Sequence, residues 1–280
     1  MSEFRLIVAE KPSVARDIAR VLGIRGGGSG SLGKGDTRVT WCVGHLAELA
    51  EPAAYDKAWK SWRLDTLPMV PERFKLKARK GARDQWKAVR TLLKHKQLKE
   101  VVNACDAGRE GELIFDNVYQ LAGCKAPVLR LWISSMTDAA IRRGFEQLRA
   151  GDEMHPLRDA ARCRSEADWL VGLNATRAMS IKARQGGAGR TLLSLGRVQT
   201  PTLALLADRE AAIEAFVPTA FWQIKASFAV DGGQWEALWV EEAKGGKRRD
   251  RLEDKARAEE VMTRIAGGDG RVVKVERKNK

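Results

Sequence analysis

Twice in the first half of the chain, a short apolar run ends at a carboxylate and is followed by a helix pattern. The run FRLIVA, residues 4–9, is followed by Glu10 and then by a helical segment. The run from Glu100 to Cys105 is followed by Asp106 and by a helix pattern from about Glu110 to Leu121. Strands that alternate with helices in this way are typical of an α/β domain with a largely parallel sheet.

The pattern along the chain predicts three domains. Strands and helices alternate over residues 1–150, which indicates an open, largely parallel α/β sheet with flanking helices. Residues 151–217 are long helical stretches rich in Arg and Ala and predict a helical domain. Residues 218–280 contain alternating, aromatic-containing strands and predict the start of a β-rich arch domain. We expect this domain to be incomplete, because Val272–Val275 reads as a strand that is just beginning.

The charge of the chain indicates a polyanionic partner. Its 280 residues carry a net charge of +14, so nucleic acid is the first expectation and an acidic membrane surface the second. The four cysteines contain no CxxC pair, which argues against a zinc ribbon or a disulfide framework and favours a reducing cytoplasm. No apolar run approaches the roughly 18 residues of a membrane span.

Acidic side chains follow both predicted strands and predict a metal site. Because the carboxyl ends of parallel strands meet at one edge of a sheet, Glu10 and Asp106 are expected to converge, with Glu110 close by. Two carboxylates about 4 Å apart repel by roughly 4 kcal/mol at an effective dielectric near 20, so such a cluster needs a cation. Oxygen ligands suit Mg²⁺, and we predict that these three residues bind it. Capping of the helix N-terminus is the alternative for Glu110.

Several motifs occur together in a recognisable order. They are VAEKPS (8–13), VGHLAEL (43–49), DAGREGE (106–112), RLWISSMT (130–137), the Arg-rich segment 158–180 and SLGRVQTPTL (194–203). Together they resemble the TOPRIM fold and, more narrowly, the type IA DNA topoisomerases of the topoisomerase III group. The usual TOPRIM pattern is a Glu followed later by Asp-x-Asp-x-Glu. This chain departs from it at Gly108, which stands where the middle Asp is expected and makes a full three-acid second site doubtful.

The resemblance implies a mechanism in which a tyrosine attacks one DNA strand. The products are a covalent 5′-phosphotyrosine and a gap through which another strand passes before resealing. In this setting Glu10 is expected to act as the acid, and Lys11 to stabilise the developing charge. The two tyrosines, Tyr55 and Tyr119, lack the Thr, Arg and Ser neighbours of the family's nucleophile and are predicted to be packing residues. We therefore expect the nucleophile to lie beyond Lys280.

The resemblance also places single-stranded DNA along the Arg-rich helix and the segment after it. Guanidinium, hydroxyl and amide groups suit phosphate contacts. The alternative is an exposed basic helix followed by a helix cap, with no role in DNA binding. His45 is expected either to approach the cleavage site or, equally well, to be a loop histidine that bonds to the backbone. The predicted DNA-binding residues are His45, Arg130, Ser134, Arg162, Arg177, Ser194, Gly196, Arg197, Gln199 and Thr200. The expected protein is a monomer that is associated with the nucleoid in the cytoplasm.

Three other functions share part of this sequence pattern. Residues 28–35, GSGSLGKG, approach a P-loop, but Gly35 replaces the Mg²⁺-binding hydroxyl, and the loop follows a helix and precedes a strand. A P-loop is therefore rejected. Another TOPRIM enzyme, such as a primase or nuclease, would lack the SLGRVQTP motif. A non-catalytic TOPRIM-containing DNA-binding protein remains the main alternative, favoured by Gly108 and by the missing tyrosine.

Overall fold

The computed structural model describes residues 3–189, 191–242 and 248–276 and divides the chain into two units, Met1–Ala204 and Leu205–Lys280. The strands of the first unit are β1 (Phe4–Ala9), β2 (Gly27–Gly28), β3 (Ser31–Leu32), β4 (Thr37–Trp41), β5 (Ala47–Leu49), β6 (Leu76–Ala78), β7 (Leu98–Ala104), β8 (Val128–Arg130) and β9 (Arg149–Ala150). The helices of the chain are α1 (Pro12–Val21), α2 (Arg83–Leu93), α3 (Arg109–Ala122), α4 (Asp138–Glu146), α5 (His155–Gln185), α6 (Gln199–Glu214) and α7 (Lys255–Ile265).

The central sheet has seven strands in the order β2-β3-β4-β1-β7-β8-β9. Its four inner strands β4, β1, β7 and β8 are parallel, whereas β9 and the β2–β3 hairpin pair antiparallel at the two edges. This confirms the predicted α/β fold with a largely parallel sheet. Because the inner strands run in one direction, the segments that follow them leave the sheet along the same edge.

Both faces of this sheet are covered by helices. Along β1, Leu6 and Val8 face a core that includes residues of α2 and α3, whereas Ile7 and Ala9 face a second core with α1 and α4. Side chains alternate between the two faces of a strand, so a strand buried on both faces must be apolar at nearly every position. This explains why FRLIVA is apolar at every position except Arg5, which is only partly buried.

The structure has short strands in two regions where the sequence predicts none. The glycine-rich segment that resembles a P-loop forms the β2–β3 edge hairpin, and Thr40 Oγ1 donates a hydrogen bond to Gly30 O within it. In the region expected to be irregular, β5 and β6 pair antiparallel with each other. Residues Val272–Val275, predicted to begin a strand, have no regular structure, so that prediction is wrong.

The second unit holds a small structure of its own. Its strands are β10 (Lys225–Val230), β11 (Gly233–Leu238), β12 (Glu241–Glu242) and β13 (Arg248–Arg249), which form two antiparallel pairs. Trp222 pairs with Leu252 as an isolated bridge, and Ile224, Leu252 and Val261 form a small core with α7. Across the described parts of both units, no helix combines the length and apolar character needed to cross a membrane.

Candidate active site and nucleic-acid groove

The predicted site residues follow the ends of four neighbouring parallel strands. His45 follows β4, Glu10 and Lys11 follow β1, Asp106 follows β7, and Ser134 follows β8. Ligands of open parallel sheets bind at this carboxyl edge, where the loops supply side chains that the strands hold in place. The order of the strands therefore places residues from distant parts of the sequence along one edge.

Glu10, Lys11 and Asp106 form the centre of this edge. The Asp106 backbone N–H donates to Glu10 Oε2 at 3.3 Å. The Lys11 ammonium lies 3.5 Å from Glu10 Oε1 and 4.0 Å from Asp106 Oδ2. Glu10 is only 7% exposed, whereas the Lys11 and Asp106 side chains are more than half exposed. One cation is thus shared by two carboxylates that come from adjacent strands.

Glu110 has a different partner. Its Oε1 lies 2.5 Å from His45 Nε2, which joins the start of α3 to the loop after β4. Within residues 3–189, 191–242 and 248–276, no group of three or more His, Cys, Asp or Glu side chains is placed to hold a metal ion together. The structure therefore brings Glu10 and Asp106 together but does not gather Glu110 with them.

The chemistry of Glu10 and Asp106 fits a divalent cation. Carboxylate oxygens are the ligands that Mg²⁺ prefers, and it commonly uses one or two of them while keeping waters for substrate phosphates. The Lys11 ammonium lies close to both carboxylates, so the pair already has a positively charged partner. Two protein carboxylates at an exposed edge suit this mode of binding better than a closed cage of protein ligands.

The loop that carries Asp106 is held from below by Arg130. This guanidinium is fully buried and donates hydrogen bonds to the carbonyls of Asn103 at 3.1 Å, Cys105 at 2.6 Å and Asp106 at 2.7 Å. The predicted DNA contact by Arg130 is therefore wrong, because its N–H groups are used inside the protein. Arg130 instead fixes the backbone at the carboxyl end of β7.

Glu112, the last acid of the DAGREGE motif, is the buried counterion of this network. It is fully buried, with Oε1 2.6 Å from Arg130 Nε, and Asn103 Nδ2 donates to the same oxygen at 3.0 Å. Arg158 of α5 lies 3.8 Å from Glu112 and 3.5 Å from Asp116. Burial raises the pKa of Glu112 and of Asp116, and it lowers the pKa of Arg130.

Two glycines in this motif have opposite surroundings. A Cβ at Gly111 would lie 2.1 Å from the Asp106 carbonyl oxygen, so only glycine lets α3 approach the loop this closely. A Cβ at Gly108 would meet nothing within 4 Å, and its φ of 170° is extended backbone. The space at Gly108 therefore allows the carboxylate that the TOPRIM pattern has there.

Both tyrosine hydroxyls are bonded to the backbone. Tyr119 donates to Ala126 O at 2.8 Å, and burial raises the pKa of Tyr119 to about 12. The Tyr55 hydroxyl accepts from Lys75 N at 3.1 Å, and its ring packs against Trp169 with centroids 5.5 Å apart. Each tyrosine is thus part of the local packing.

A groove of about 490 Å³ extends from this edge along α5. His45 and Ser194, two of the predicted DNA-binding residues, both line it, together with polar residues of α3 and α5 such as Asn117 and Thr176. The indole of Trp169 lies in its wall and donates to Ala50 O at 2.9 Å. The groove therefore connects the loop after β4 with the segment that precedes α6.

Two family models match different parts of the chain. The Toprim domain model matches residues 5–136, and the DNA topoisomerase model matches residues 152–280. Over these two ranges the chain is similar to DNA topoisomerases. DNA topoisomerase 3 of Bacillus subtilis (strain 168) is 48% identical over 227 residues, which are 81% of this chain and 30% of that protein. DNA topoisomerase 3 of Staphylococcus epidermidis is 40% identical over 275 residues, 98% of this chain and 36% of that protein.

A solved structure shows the same fold. Full-length topoisomerase I from Thermotoga maritima superposes with a TM-score of 0.53 at 24% identity, covering 92% of this chain and 37% of that one. The chain thus spans about a third of the length of the topoisomerases it matches.

The segment before α6, whose motif resembles the topoisomerases, is fastened to α5 by hydroxyl groups. Thr176 accepts from Leu195 N at 2.9 Å, and Ser180 accepts from Leu193 N at 3.0 Å. Sequence reasoning missed both residues, although each is a hydroxyl on the helix expected to bind DNA. Within the segment, Gln199 donates to Ser194 Oγ at 2.8 Å. These bonds position the groove wall.

Two predicted DNA contacts of this segment lie in a local turn. The Gly196 N–H donates to Thr200 Oγ1 at 3.0 Å, and the Thr200 N–H donates to Gly196 O at 3.2 Å. The Gln199 side chain also packs within 3.1 Å of a Cβ placed at Gly196. Gly196 and Thr200 thus shape the turn that begins α6, and their roles toward DNA stay predictions.

The arginines of α5 and of the segment before α6 are more fully compensated than the sequence suggested. Arg162 pairs with Asp159 at 2.7 Å, and Arg197 pairs with Asp168 at 2.9 Å. Both arginine side chains are exposed, so their predicted roles remain open to a phosphate. Arg177 is only 6% exposed and donates to Trp59 O at 2.7 Å, so the predicted DNA contact by Arg177 is wrong.

Proposed function

We propose that this chain is the part of a type IA DNA topoisomerase of the topoisomerase III group that carries the metal site and part of the single-stranded DNA groove. The observation that carries the proposal is the shared cation site, in which Lys11 lies between Glu10 and Asp106 beside the groove. The reaction is cleavage of one DNA strand, passage of another and religation. The complete protein that contains this chain acts as a monomer on nucleoid DNA in the cytoplasm.

In this proposal the divalent ion is Mg²⁺, and Glu10 and Asp106 are the residues that hold it. Glu110 contributes weakly or through water, because its carboxylate bonds to His45. When bound, the ion neutralises a phosphate next to the cleaved bond. An ion held by two acids needs both in fixed positions. Arg130 fixes the backbone of the loop that carries Asp106, through hydrogen bonds to the carbonyls of Cys105 and Asp106.

The side chains of the chain have separate roles in strand cleavage. Lys11 stabilises negative charge on the phosphate as it is attacked, since its ammonium is exposed and lies beside both acids. Glu10, sheltered at the strand end, gives a proton to the leaving 3′ oxygen from the carboxyl oxygen that would not hold the ion. Because the hydroxyls of Tyr55 and Tyr119 are bonded to the backbone, neither attacks DNA. The nucleophilic tyrosine is supplied by a segment outside these 280 residues.

Three domains divide these roles. Residues 1–150 carry the metal site, residues 151–217 carry the groove wall, and residues 218–280 begin the β-rich arch. Support for the first two comes from the position of His45 and Ser194 on the same groove. Further surface residues proposed to reach the single strand are Ser134 after β8, Arg162 on α5 and Arg197 before α6.

The proposal is tested by relaxation of negatively supercoiled plasmid with the complete protein that contains this chain, in the presence of Mg²⁺. Glu10→Gln and Lys11→Ala are expected to abolish relaxation, whereas Glu146→Gln on the exposed end of α4 is expected to leave it unchanged. The 280-residue chain alone is expected to bind single-stranded DNA without forming a covalent adduct. Relaxation that survives Glu10→Gln would overturn the proposed role of the acid.

A non-catalytic TOPRIM-containing DNA-binding protein is the second candidate. It is favoured by the engaged tyrosine hydroxyls and by the absence of an acid at Gly108. The same plasmid assay separates the two candidates. A complete protein that binds DNA but leaves the plasmid supercoiled, at any Mg²⁺ concentration, would favour this candidate over the enzyme.

A further inference from the structure

The exposed face of α2 carries a row of cations. Arg83, Lys87, Arg90 and Lys94 follow one another at separations of four, three and four residues, and so they lie on one face of the helix and its C-cap. The helix has 11 residues, so the row is about 16 Å long. We refer to these four residues as the α2 stripe.

None of the four side chains of the α2 stripe has an acidic partner within the part of the chain that the structure describes. All four are exposed. Elsewhere on the surface, many cations are paired with acids: Arg20 with Asp138 at 2.8 Å, and Lys77 with Glu51 at 2.6 Å. Asp84 is the one acid of this helix, so the row of four unpaired cations leaves a net positive potential, and such a surface attracts polyanions.

A concave surface of about 790 Å³ lies beside the stripe and extends its positive charge. It is lined by Lys87, Arg90 and Lys94 of the stripe and by Trp86, His95 and Lys96. The His95 ring packs edge-on against Phe4 at 5.1 Å, and its Nδ1 accepts from Gln97 N at 3.2 Å. Trp86 packs against the core under α2.

The chemistry of this surface points to phosphate rather than to bases. Single-stranded nucleic acid is usually held by aromatic rings on which bases stack. Here both rings are engaged in the fold, and the Thr91 hydroxyl donates to Lys87 O at 2.8 Å, so the groups left for a ligand are the ammonium and guanidinium groups. These groups contact phosphate oxygens. The cations also form a line rather than converging on one point, which suits an extended polyanion better than a single small anion.

The surface lies at the opposite end of the sheet from Glu10 and Asp106. Strand β7 begins at Leu98, next to Gln97 of the concave surface, and ends at Ala104, just before the acid loop. Its seven residues span about 23 Å at 3.3 Å per residue. The other end of the stripe, at Arg83, lies nearer the carboxyl edge, because Gln85 donates to the carbonyl of Trp41 at the end of β4. A strand bound along the carboxyl edge therefore does not reach the Lys94 end of the stripe by the same contacts.

We propose that the α2 stripe is a second DNA-binding surface, which holds the phosphodiester backbone of a DNA segment other than the one at the acid site. The choice of DNA as the polyanion rests on the proposed function, whereas the surface itself is independent of the catalytic residues. The binding is not sequence-specific, because no base-reading group is available. Duplex and single-stranded DNA share this backbone, and the experiment distinguishes them.

The test compares two double variants of the 280-residue chain that change the net charge equally. Lys87→Glu/Lys94→Glu reverses two cations of the stripe, and Arg142→Glu/Arg143→Glu reverses two exposed cations of α4. Affinity for a duplex and for a single-stranded oligonucleotide is measured by fluorescence anisotropy over a series of salt concentrations. Lys87→Gln/Lys94→Gln is a milder third variant, and circular dichroism checks that all variants remain folded.

We expect the stripe variant to raise Kd about tenfold or more at 0.1 M salt, and to reduce the salt slope by about 1.8 for duplex or about 1.4 for single strand. The α4 variant is expected to change both less than threefold. The strand form that loses more affinity is the one that the stripe binds. The glutamine variant should show a smaller loss in the same direction.

Four outcomes would overturn the inference. Equal affinities for the stripe and α4 variants would show that only overall charge matters. A stripe variant that loses binding to phosphatidylserine vesicles but not to DNA would identify a membrane surface instead. If the stripe variant binds normally while Arg197→Glu weakens single-strand binding, the inference fails and the proposed function stands. A wild-type chain that binds no DNA would overturn both.

Discussion

Acidic side chains have opposite surroundings on the two sides of the acid loop, the segment after β7 that carries Asp106 and leads into α3. On the exposed side, Asp106 and Glu110 have side chains that are more than 60% exposed, and each has a partner from a distant part of the chain. On the buried side, Glu112 is fully enclosed with Arg130 and Arg158. The three acids lie within seven residues of sequence, so burial alone separates ligand chemistry from structural charge pairing.

This difference assigns separate measurable properties to the two sides. A buried ion pair contributes little relative to an apolar pair, but removing one partner leaves an uncompensated charge and is strongly destabilising. Exposed charges contribute little to stability and remain available to ligands. We therefore expect changes below the loop to alter the free energy of unfolding, and changes above it to alter the binding of cations and DNA.

The largest effect is expected from Arg130→Ala. It removes the donor to the carbonyls of Asn103, Cys105 and Asp106 and leaves Glu112 buried without its closest cation. We expect a loss of about 3–5 kcal/mol in the free energy of unfolding, measured by urea denaturation. Arg142→Ala, at an exposed position, is the control and should change stability by less than about 0.5 kcal/mol. A loss below about 1 kcal/mol for Arg130→Ala would contradict the proposed support of the loop.

The next effect is expected from Gly111→Ala. The added Cβ would overlap the Asp106 carbonyl oxygen at 2.1 Å, so either α3 or the loop must move. We expect a loss of about 2–3 kcal/mol together with weaker binding of divalent ions. The matched control is Gly108→Ala, three residues away, where the Cβ meets nothing and the loss should stay below about 1 kcal/mol. Equal losses of stability for the two variants would contradict the conclusion that glycine is needed for the close approach of α3 to the Asp106 loop.

A smaller and purely functional effect is expected from Lys11→Gln. The ammonium competes with any divalent ion for Glu10 and Asp106, and its attraction to an exposed carboxylate at 4 Å is about 1 kcal/mol in water. Removing it should tighten Mg²⁺ binding about fivefold while stability stays within about 0.5 kcal/mol. Isothermal titration calorimetry measures both the affinity and the number of ions. Weaker Mg²⁺ binding in this variant would show that Lys11 supports the ion rather than competing with it.

The smallest effect is expected in the pH dependence of stability. Burial raises the pKa of Asp116 above its ordinary value of 3.8, so the folded state holds this proton to higher pH than the unfolded state does. The stabilising contribution of the proton is present below pH 3.8 and is lost as pH rises through the folded pKa. In Asp116→Asn we therefore expect a smaller decline in stability as pH rises above this value.

The measurement is the urea midpoint over a series of pH values, with Asp159→Asn as the exposed control. A single proton can change stability by at most about 1.4 kcal/mol per pH unit, which sets the scale of the difference. A profile for Asp116→Asn that coincides with the wild-type profile would contradict the raised pKa.

The sequence predicts those parts of the fold in which local pattern and burial agree. The second halves of strands β1 and β7 are buried on both faces and mostly apolar, and the strands end where Glu10 and Asp106 were expected. The β2–β3 and β5–β6 pairs were missed because their strands have only two or three residues, and β5 finds its partner far along the chain. Val272–Val275 has strand composition but pairs with no strand among the residues that the structure describes.

The candidate site was predicted where the chemistry is local and missed where it depends on packing. Arg130 and Arg177 were expected at the surface because arginine is rarely buried. Nothing in the motif around Arg130 shows that Glu112 lies beneath the same loop. The link between Glu110 and His45 depends on the neighbouring positions of β4, β1 and β7 in the sheet, which no spacing in the sequence contains.

The most direct test is titration of the chain with Mg²⁺, with Mn²⁺ binding followed by electron paramagnetic resonance as a second readout. The account predicts that wild type binds a divalent ion, that Glu10→Gln and Asp106→Asn each weaken this binding at least about tenfold, and that Glu146→Gln does not change it. Binding that is equally tight in wild type and in Asp106→Asn would contradict a shared ion site between β1 and β7.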